Sequence, residues 1–297
     1  MKKTIFKGCG TAIITPFTEN GINFEEFTRM IEFQIKNNVD AIIVCGTTGE
    51  SSTMTLEERK ATIKCAIDTV NGRIPVIAGT GSNCTASAIE MSKWAEEAGA
   101  DAVLVVTPYY NKTTQEGLIA HYKAIASAIK IPMILYNVPS RTGLNIAPKT
   151  CLELSKVKNI VAIKEASGNL SQIAEIKELC RDNLDIYSGN DDQIVPILSL
   201  GGIGVISVLS HLVPNDVHTM VTSFLEGDTK TATKLQLDTL NLTKALFSEV
   251  NPIPVKAACN MMGFNVGIPR LPLIEMTKEG QKNLKAEMIK YGVIKKW

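Results

Sequence analysis

The sequence is poor in the residues that build metal centres and disulfide frameworks. It has three histidines, and neither His121, His211 nor His218 lies at a metal-ligand spacing from another histidine or a cysteine. The seven cysteines are odd in number, form no CxxC pair and lie in apolar segments such as IIVCG and IKCAI. Such scattered thiols are typical of reduced cysteines in a cytoplasmic protein. We therefore expect no transition-metal site and a cytoplasmic location.

An excess of charge of one sign, a membrane-spanning run and a signal peptide are missing as well. Lys plus Arg total 31 against 30 for Asp plus Glu, which provides no basic surface for nucleic acid or an anionic membrane. No apolar stretch approaches the roughly 20 residues that a membrane-spanning helix needs. Gly8, Gly10 and Pro16 interrupt the apolar N-terminal segment, and no small-residue cleavage site follows it. The expected partners are small molecules and further copies of this chain.

Eight short apolar runs, bounded by turn residues, predict eight buried β-strands. They are near-continuous in Val, Ile and Leu, which is typical of parallel strands covered by helices, and capped helical segments lie between them. The runs are GCGTAIITPF, DAIIVCGTTGE, IPVIAGTG, DAVLVVTPYY, IPMILYNVP, IVAIKEASG, LDIYSGND and GGIGVISV. The GxGxxG turn of an open, doubly wound sheet does not occur. The pattern predicts the α/β class and, within it, a (β/α)8 TIM barrel.

The C-terminal part of the chain is predicted to be helical. After the eighth run the helical segments are NDVHTMVTSFLEGD, TATKLQLDTLNLTKALFSEV, IPVKAACNMMG and TKEGQKNLKAEMIKYGV. No Gly/Ser/Pro-rich linker separates them from the barrel. We expect the barrel to occupy residues 1–225 and a C-terminal helical extension, packed on the barrel, to occupy residues 226–297.

Lys164 is the first candidate for chemistry, because it follows an apolar run in the sixth predicted strand. Residues that end barrel strands lie at the face where such enzymes carry their active sites. Moving an ammonium group out of water costs several kcal/mol, and desolvation makes a lysine lose its proton more readily. The free amine can then attack a carbonyl and form a Schiff base. A structural ion pair with Glu165 is the alternative, although strand alternation directs Glu165 to the opposite side.

Other polar residues follow other strands, and each has a purely structural alternative. Tyr136 can face the same cavity with its hydroxyl or be an ordinary core tyrosine. Thr47 and Thr48, between two glycines, can direct hydroxyls and backbone N–H groups at a ligand, and a plain βα turn explains the same motif almost as well. Arg141 is suited to bidentate binding of a carboxylate, whereas a lone loop arginine is more often a solvated surface charge.

Taken together, five motifs resemble those of the dihydrodipicolinate synthases, which belong to a larger family of Schiff-base aldolases and lyases that includes N-acetylneuraminate lyase. The motifs are GTTGES at 46–51, YNVPSRTG at 136–143, VAIKEASG at 161–168, SGND at 188–191 and NPIPVK at 251–256. The resemblance covers nearly the whole chain. Neuraminate lyases typically have serine in place of Thr47 and lack an arginine that matches Arg141, so these two residues favour the synthases.

The resemblance implies a condensation of pyruvate with L-aspartate 4-semialdehyde, the first committed step of diaminopimelate and lysine biosynthesis, without a separate cofactor. It implies that Lys164 forms an imine with pyruvate and that Tyr136, flanked by Thr47 and Tyr110, relays protons. The matching positions for substrate binding are Thr48 and the backbone of Ile206 for the pyruvate carboxylate, Arg141 for the semialdehyde carboxylate, and Gly189 in the cavity wall.

The resemblance also implies a homo-oligomer, usually a tetramer of two tight dimers, in which a neighbouring subunit contributes Tyr110. From the residues alone, Tyr109 and Tyr110 can equally be loop packing or an interface. Lysine-inhibited relatives have polar groups, often histidines and a glutamate, at positions where this chain has Leu56, Arg59 and Ser87. We therefore expect weak or absent inhibition by lysine, because the buried ammonium group of lysine would lack its partner.

Two other functions remain as alternatives at this point. One is a related aldolase or lyase that acts on a sugar acid such as N-acetylneuraminate or 2-keto-3-deoxygluconate, against which Arg141 argues. The other is a ligand sensor or assembly module without catalysis. The combination of Lys164, Tyr136 and Thr47 argues against that second alternative.

Overall fold

The computed structural model describes residues 2–295, and eight parallel strands form a closed barrel at its centre. The strands in chain order are β1 (Gly8–Ala12), β2 (Phe17–Thr18), β3 (Gly21–Ile22), β4 (Ala41–Val44), β5 (Val76–Gly79), β6 (Ala102–Val106), β7 (Met133–Asn137), β8 (Ile160–Glu165), β9 (Asp185–Ser188) and β10 (Gly204–Ser207). The barrel follows the order β1, β4, β5, β6, β7, β8, β9, β10 and closes by pairing of β10 with β1. The predicted eight-stranded barrel is confirmed, and the antiparallel β2–β3 hairpin is an addition that the sequence pattern did not predict.

Helices connect the strands and continue beyond the barrel. They are α1 (Phe24–Lys36), α2 (Leu56–Val70), α3 (Thr85–Glu97), α4 (Gln115–Ser127), α5 (Pro139–Thr142), α6 (Pro148–Ser155), α7 (Leu170–Cys180), α8 (Ile194–Ser199), α9 (Pro214–Leu225), α10 (Thr229–Asp238), α11 (Leu240–Leu246), α12 (Ile253–Met261) and α13 (Lys278–Tyr291). The helices α10 to α13 form the C-terminal helical extension that the sequence predicted. None of the helices within residues 2–295 is both long and apolar enough to cross a membrane.

Local capping explains where α2 begins, at Leu56, a few residues after the GTTGES motif. The Thr55 hydroxyl accepts a hydrogen bond from Glu58 N at 3.2 Å, and the Glu58 carboxylate accepts one from Thr55 N at 2.9 Å. This reciprocal capping box satisfies two backbone donors that a helix N-terminus otherwise leaves unpaired. The capping box therefore fixes where the loop between β4 and α2 ends, at the carboxyl-terminal face of the barrel.

Two apolar layers, one inside the barrel and one between the strands and the helices, explain why the strand sequences are continuously apolar. In β7, Met133 and Leu135 pack outward under the helices, whereas Ile134 and Tyr136 pack inside the barrel. Both faces of each strand are thus buried, as expected for a barrel with helices around it.

A register irregularity in β8 decides which face carries Lys164. Met133 pairs with Ile160 and the next residue of β7 pairs with Ala162, so Val161 is an extra residue in β8. Val161 and Ala162 both pack in the inner layer, and Ile163 packs in the outer one. Since side chains alternate beyond this bulge, Lys164 faces inward and Glu165 faces outward.

The side chain of Lys2 contacts the first residue of β8, Ile160, at the amino-terminal end of the barrel. Lys2 Nζ donates to the carbonyl oxygens of Ser155, Val157 and Ile160 at 2.5, 2.7 and 2.5 Å. These carbonyls lie at the end of α6 and at the start of β8, and the oxygen of Val157 also accepts a backbone hydrogen bond from Ile160 N at 3.2 Å. The ammonium group satisfies three of them at once, at the opposite end of β8 from Lys164.

Candidate active site

A cavity of about 250 Å³ lies at the carboxyl ends of the strands β4 to β7. Its lining includes Thr47, Tyr136 and Arg141, which come from three separate segments of the sequence. In a parallel barrel the ends of all strands meet at the same face, which explains how these side chains converge. A small substrate in this cavity can contact these three side chains, whereas the other predicted residues, Lys164, Thr48, Gly189 and Ile206, are not among the residues that line it.

Lys164 and Tyr136 are direct neighbours across the pair of strands β7 and β8. Tyr136 is the register partner of Lys164, and Lys164 Nζ lies 4.4 Å from the centre of the Tyr136 ring. Their side chains are almost fully buried, with 6% exposure for Lys164 and 7% for Tyr136. An amine and a phenol are therefore held side by side by the hydrogen-bond ladder of the barrel itself.

Glu165 has its own partners on the outer side of the barrel and is not the counter-ion of Lys164. Its carboxylate accepts hydrogen bonds from Ser167 N at 2.8 Å and from Asn137 Nδ2 at 3.1 and 3.2 Å. Burial raises the pKa of Glu165, and these hydrogen bonds act in the opposite direction. The structural ion pair considered as an alternative for Lys164 is therefore absent, as strand alternation predicted.

Gly189 leaves the space that the Lys164 side chain occupies. A Cβ atom built on Gly189 would lie 3.1 Å from Lys164 Cε and 2.7 Å from the Cβ of Ala166. Contacts this short require a neighbour to move. Glycine at this position therefore gives the lysine room beside β9.

Ile206 lies in β10 with its side chain in the inner layer of the barrel. Just beyond it, the Asp191 carboxylate accepts hydrogen bonds from Ser207 Oγ at 2.6 Å and from the backbone N–H groups of Val208 and Leu209, each at 2.9 Å. Burial raises the pKa of Asp191, while these hydrogen bonds and the positive charge of Lys164 act in the opposite direction. Asp191 is the last residue of the SGND motif, and no role was predicted for it from the sequence. A carboxylate three residues after the end of β9 is only a weak sequence signal for these contacts.

Thr48 and Arg141 are joined through a residue of the C-terminal extension. Asn251 Nδ2 donates to Thr48 Oγ1 at 2.9 Å, and Arg141 Nη2 donates to the backbone oxygen of Asn251 at 3.2 Å. Thr48 is buried, whereas Arg141 is exposed at the cavity mouth. Asn251 belongs to the quoted NPIPVK motif, but its contact to Thr48 spans 203 residues of sequence and has no local signature.

Tyr110 lies at the surface of this single chain, apart from the buried Lys164 and Tyr136. It is 92% exposed, and its φ of 70° is unusual for a non-glycine residue. The preceding residue, Tyr109, lines the cavity and is held through its carbonyl by Asn83 Nδ2 at 3.2 Å. The structure therefore brings Lys164 and Tyr136 together without Tyr110.

The positions connected with lysine inhibition lie at the same end of the barrel. Arg59 lines the cavity, and its Nη2 donates to the carbonyl oxygen of Gly79 at 3.1 Å. Leu56, three residues before Arg59 in the sequence, is the first residue of α2, and its side chain is 38% exposed. Weak inhibition by lysine stays a prediction.

Comparisons with known proteins agree on one family. Residues 5–290 match the model of the dihydrodipicolinate synthetase family. The chain is 62% identical over 292 residues to 4-hydroxy-tetrahydrodipicolinate synthase 1 of Clostridium acetobutylicum, covering 98% of this chain and 100% of the relative. It is 44% identical to a crystal structure of dihydrodipicolinate synthase from Aquifex aeolicus, with a TM-score of 0.95 over 97% of this chain and 99% of the other. A structure described as a first monomeric dihydrodipicolinate synthase variant is 41% identical, with a TM-score of 0.96 over 98% of both chains.

Proposed function

Because this chain belongs to the dihydrodipicolinate synthetase family, we propose that it condenses pyruvate with L-aspartate 4-semialdehyde to give 4-hydroxy-tetrahydrodipicolinate, the first committed step of diaminopimelate and lysine biosynthesis. The observation that carries the proposal is the buried Lys164 amine, 4.4 Å from the centre of the Tyr136 ring at the active face of a barrel. The names of the relatives favour the synthase over a lyase that acts on sugar acids.

Lys164 is the proposed nucleophile. Its free amine attacks the C2 carbonyl of pyruvate, and loss of water leaves a protonated imine. The imine withdraws electrons from the methyl group, which loses a proton and becomes the enamine carbon that attacks the aldehyde. The amino group of the semialdehyde part then attacks the imine carbon, closes the ring and releases the lysine. This sequence needs no separate cofactor, because the imine itself accepts the electron pair.

Tyr136 is the proposed proton carrier, flanked by Thr47 and by Tyr110 of a neighbouring subunit. A phenol that both donates and accepts a hydrogen bond can move a proton between the alkoxide and the imine. The outward position of Tyr110, 92% exposed in the single chain, supports its donation to a second copy. We therefore propose a homo-oligomer, a tetramer of two tight dimers, in which each site is completed by its neighbour.

Two carboxylates need separate binding groups in this proposal. The Thr48 hydroxyl and the backbone N–H of Ile206 bind the pyruvate carboxylate, and Gly189 keeps the adjoining wall of the cavity open. Arg141, exposed at the cavity mouth, binds the carboxylate of the semialdehyde through its fork of N–H donors.

Location and domain organisation complete the proposal. We propose a cytoplasmic enzyme, supported by seven free cysteines, of which five are buried thiols. We also propose that residues 1–225 are the barrel and that residues 226–297 are an extension packed on it. Hydrogen bonds from Asn251 and Arg270 to the barrel-end loops support this packing.

Borohydride reduction in the presence of pyruvate tests the central step. We expect one pyruvyl adduct by intact mass and its location on Lys164 by peptide mapping. Lys256 is an internal control, because it is also a buried lysine but is ion-paired with Glu50. An adduct on Lys256 or on any other lysine contradicts the proposal. A coupled assay with pyruvate and aspartate semialdehyde, run beside cleavage assays on sugar acids, distinguishes the two activities.

A further inference from the structure

Residues 251–256 of the C-terminal extension, which we call the clamp segment, contact the barrel loop that carries Thr48. That loop, residues 46–51, is the GTTGES loop of the sequence motif. The two segments are far apart in sequence, yet the side chains of Asn251 and Lys256 both reach the loop. Asn251 precedes α12 and Lys256 lies within its first turns, so one rigid element presents both side chains.

The first contact sets the direction of the Thr48 hydroxyl. Asn251 Nδ2 donates to Thr48 Oγ1 at 2.9 Å, in a place where both residues are buried. A hydroxyl that accepts from an amide must direct its own hydrogen elsewhere. Among the described residues the Thr48 hydroxyl donates to no protein acceptor, so its O–H is free to donate to a bound carboxylate.

The second contact is a buried ion pair two residues further along the loop. Lys256 Nζ lies 2.6 Å from Glu50 Oε1, and both side chains are 1% exposed. Glu50 Oε2 also accepts from Arg270 N at 2.9 Å, so the carboxylate is held from two sides by the extension. Burial lowers the pKa of Lys256, and the charge of Glu50 acts in the opposite direction. The pair holds the Glu50 carboxylate at a fixed point of the loop.

An aromatic ring completes the second contact. Lys256 Nζ and Arg270 Cζ each lie 4.1 Å from the centre of the Phe17 ring. The cations therefore have both a carboxylate and a π-face as partners, which fixes their positions in the extension. Glu50 itself has a φ of 55°, a strained conformation for a non-glycine residue that persists only when surrounding contacts hold it.

We propose that the clamp segment positions the GTTGES loop for binding of the 2-oxo acid carboxylate, with Asn251 and Lys256 as positioning residues that act through Thr48. The inference rests on the proposed function, in which Thr48 binds pyruvate. It assigns the extension a task in substrate affinity. The loop's own backbone hydrogen bonds, Gly49 N to Gly46 O and Glu50 N to Thr47 O, each at 3.1 Å, shape its turns but do not orient the Thr48 hydroxyl. It also connects both carboxylate sites, because Arg141 donates to the backbone of the same Asn251.

The test compares Asn251→Ala with the matched control Asn260→Ala. Asn260 lies in α12, the helix that Asn251 precedes, and its side-chain amide donates to Gly267 O at 2.9 Å and accepts from Val266 N at 3.0 Å. Both of these contacts stay within the extension. Asn251→Ala removes one hydrogen bond together with a buried oxygen, Oδ1, that has no hydrogen-bond partner, so we expect the variant to fold. Its KM for pyruvate should rise about tenfold, the loss expected when a hydrogen bond to a charged group is misaligned.

The kcat of Asn251→Ala should stay within about twofold of wild type, since the chemistry at Lys164 is unchanged. Asn260→Ala should lower Tm and leave the KM for pyruvate unchanged. A merely structural role for Asn251 would reduce the active fraction, and with it kcat, without raising KM. A wild-type KM in Asn251→Ala would overturn the proposal.

A second arm removes the ion pair without leaving a lone buried charge. In Glu50→Met/Lys256→Met both partners become apolar groups of similar length, a replacement that proteins often tolerate in stability. The pyruvate concentration for half-maximal borohydride trapping should rise about tenfold in this variant and in Lys256→Arg, which keeps the charge but changes the geometry. Wild-type values in both variants would refute a role for Lys256. These outcomes can be distinguished from failure of the proposed function itself, because in that case the wild-type enzyme would form no pyruvyl adduct on Lys164.

Discussion

Replacing Gly189 by alanine tests how closely the cavity is fitted around Lys164. The new Cβ would lie 2.7 Å from Ala166 Cβ and 3.1 Å from Lys164 Cε. Ala166 Cβ is attached directly to the backbone, and the carbonyl oxygen of Glu165 would also lie 3.1 Å away, so moving the lysine stem alone does not relieve the crowding. We therefore expect the backbone directly after Lys164 to shift and to carry the amine with it. A displacement of the amine by about 1 Å costs roughly a hundredfold in rate.

The stability cost of Gly189→Ala should be much smaller than its effect on rate. Adding one methyl group to a packed site costs about 1–3 kcal/mol, which lowers Tm by only several degrees in a protein of this size. We therefore expect kcat, and the rate of borohydride trapping with pyruvate, to fall about a hundredfold while the enzyme stays folded at 25 °C.

Gly202→Ala is the matched control. A Cβ there would meet Ile197 Cγ2 at 2.8 Å and Ile197 O at 2.9 Å, a similar degree of crowding, but away from Lys164. It should lower Tm comparably and leave the trapping rate intact. If Gly189→Ala traps pyruvate at the wild-type rate, the inference that glycine makes room for the lysine is wrong.

Three further outcomes follow from other features. If a neighbouring subunit contributes Tyr110, mixing inactive Lys164→Ala and Tyr110→Phe enzymes under conditions of subunit exchange should restore part of the activity, and no recovery would contradict the shared site. His211 is buried and accepts from Ile14 N at 3.0 Å, and burial lowers its pKa from 6.5 to about 4. The folded protein therefore holds His211 in its neutral form, whereas the unfolded chain gains a proton on this residue below about pH 6.5. The free energy of unfolding should be highest above pH 6.5 and should fall by about 3 kcal/mol as the pH is lowered to about 4. Urea unfolding at several pH values should show this loss, and His211→Gln should weaken the dependence on pH. Finally, Lys2→Met should lower Tm without changing KM, because it leaves the carbonyls at the start of β8 without their donor, and an unchanged Tm would show that water replaces the ammonium group there.

The sequence predicted most of the fold because both faces of each barrel strand are apolar and the runs are bounded by turn residues. It did not predict the β2–β3 hairpin, since two residues per strand are too few for any periodic pattern. The sequence pattern also predicted one helical stretch over residues 231–250, whereas the structure has two helices there, α10 and α11, separated at Thr239. A helix break without glycine or proline has no strong sequence signal.

The candidate site also contains residues that the sequence predicted and residues that it did not. Lys164 and Tyr136 were predictable because each is a polar residue that ends an apolar strand. The roles of Asp191, Asn251 and Lys256 were not, because their partners come from other segments; Glu50 and Lys256, for example, are joined by a contact that only the folded chain creates. A lysine in the apolar segment IPVKAAC does signal a buried carboxylate, but the sequence does not say which one.

The docking of Lys2 separates the two ends of the strand that carries Lys164. The ammonium group of Lys2 contacts the carbonyl oxygen of Ile160, the first residue of β8, whereas Lys164 lies near the other end of the same strand. A chemical modification that removes the positive charge of Lys2 would therefore act on the base of the barrel, and we expect it to shorten the lifetime of the folded protein at elevated temperature before it changes turnover.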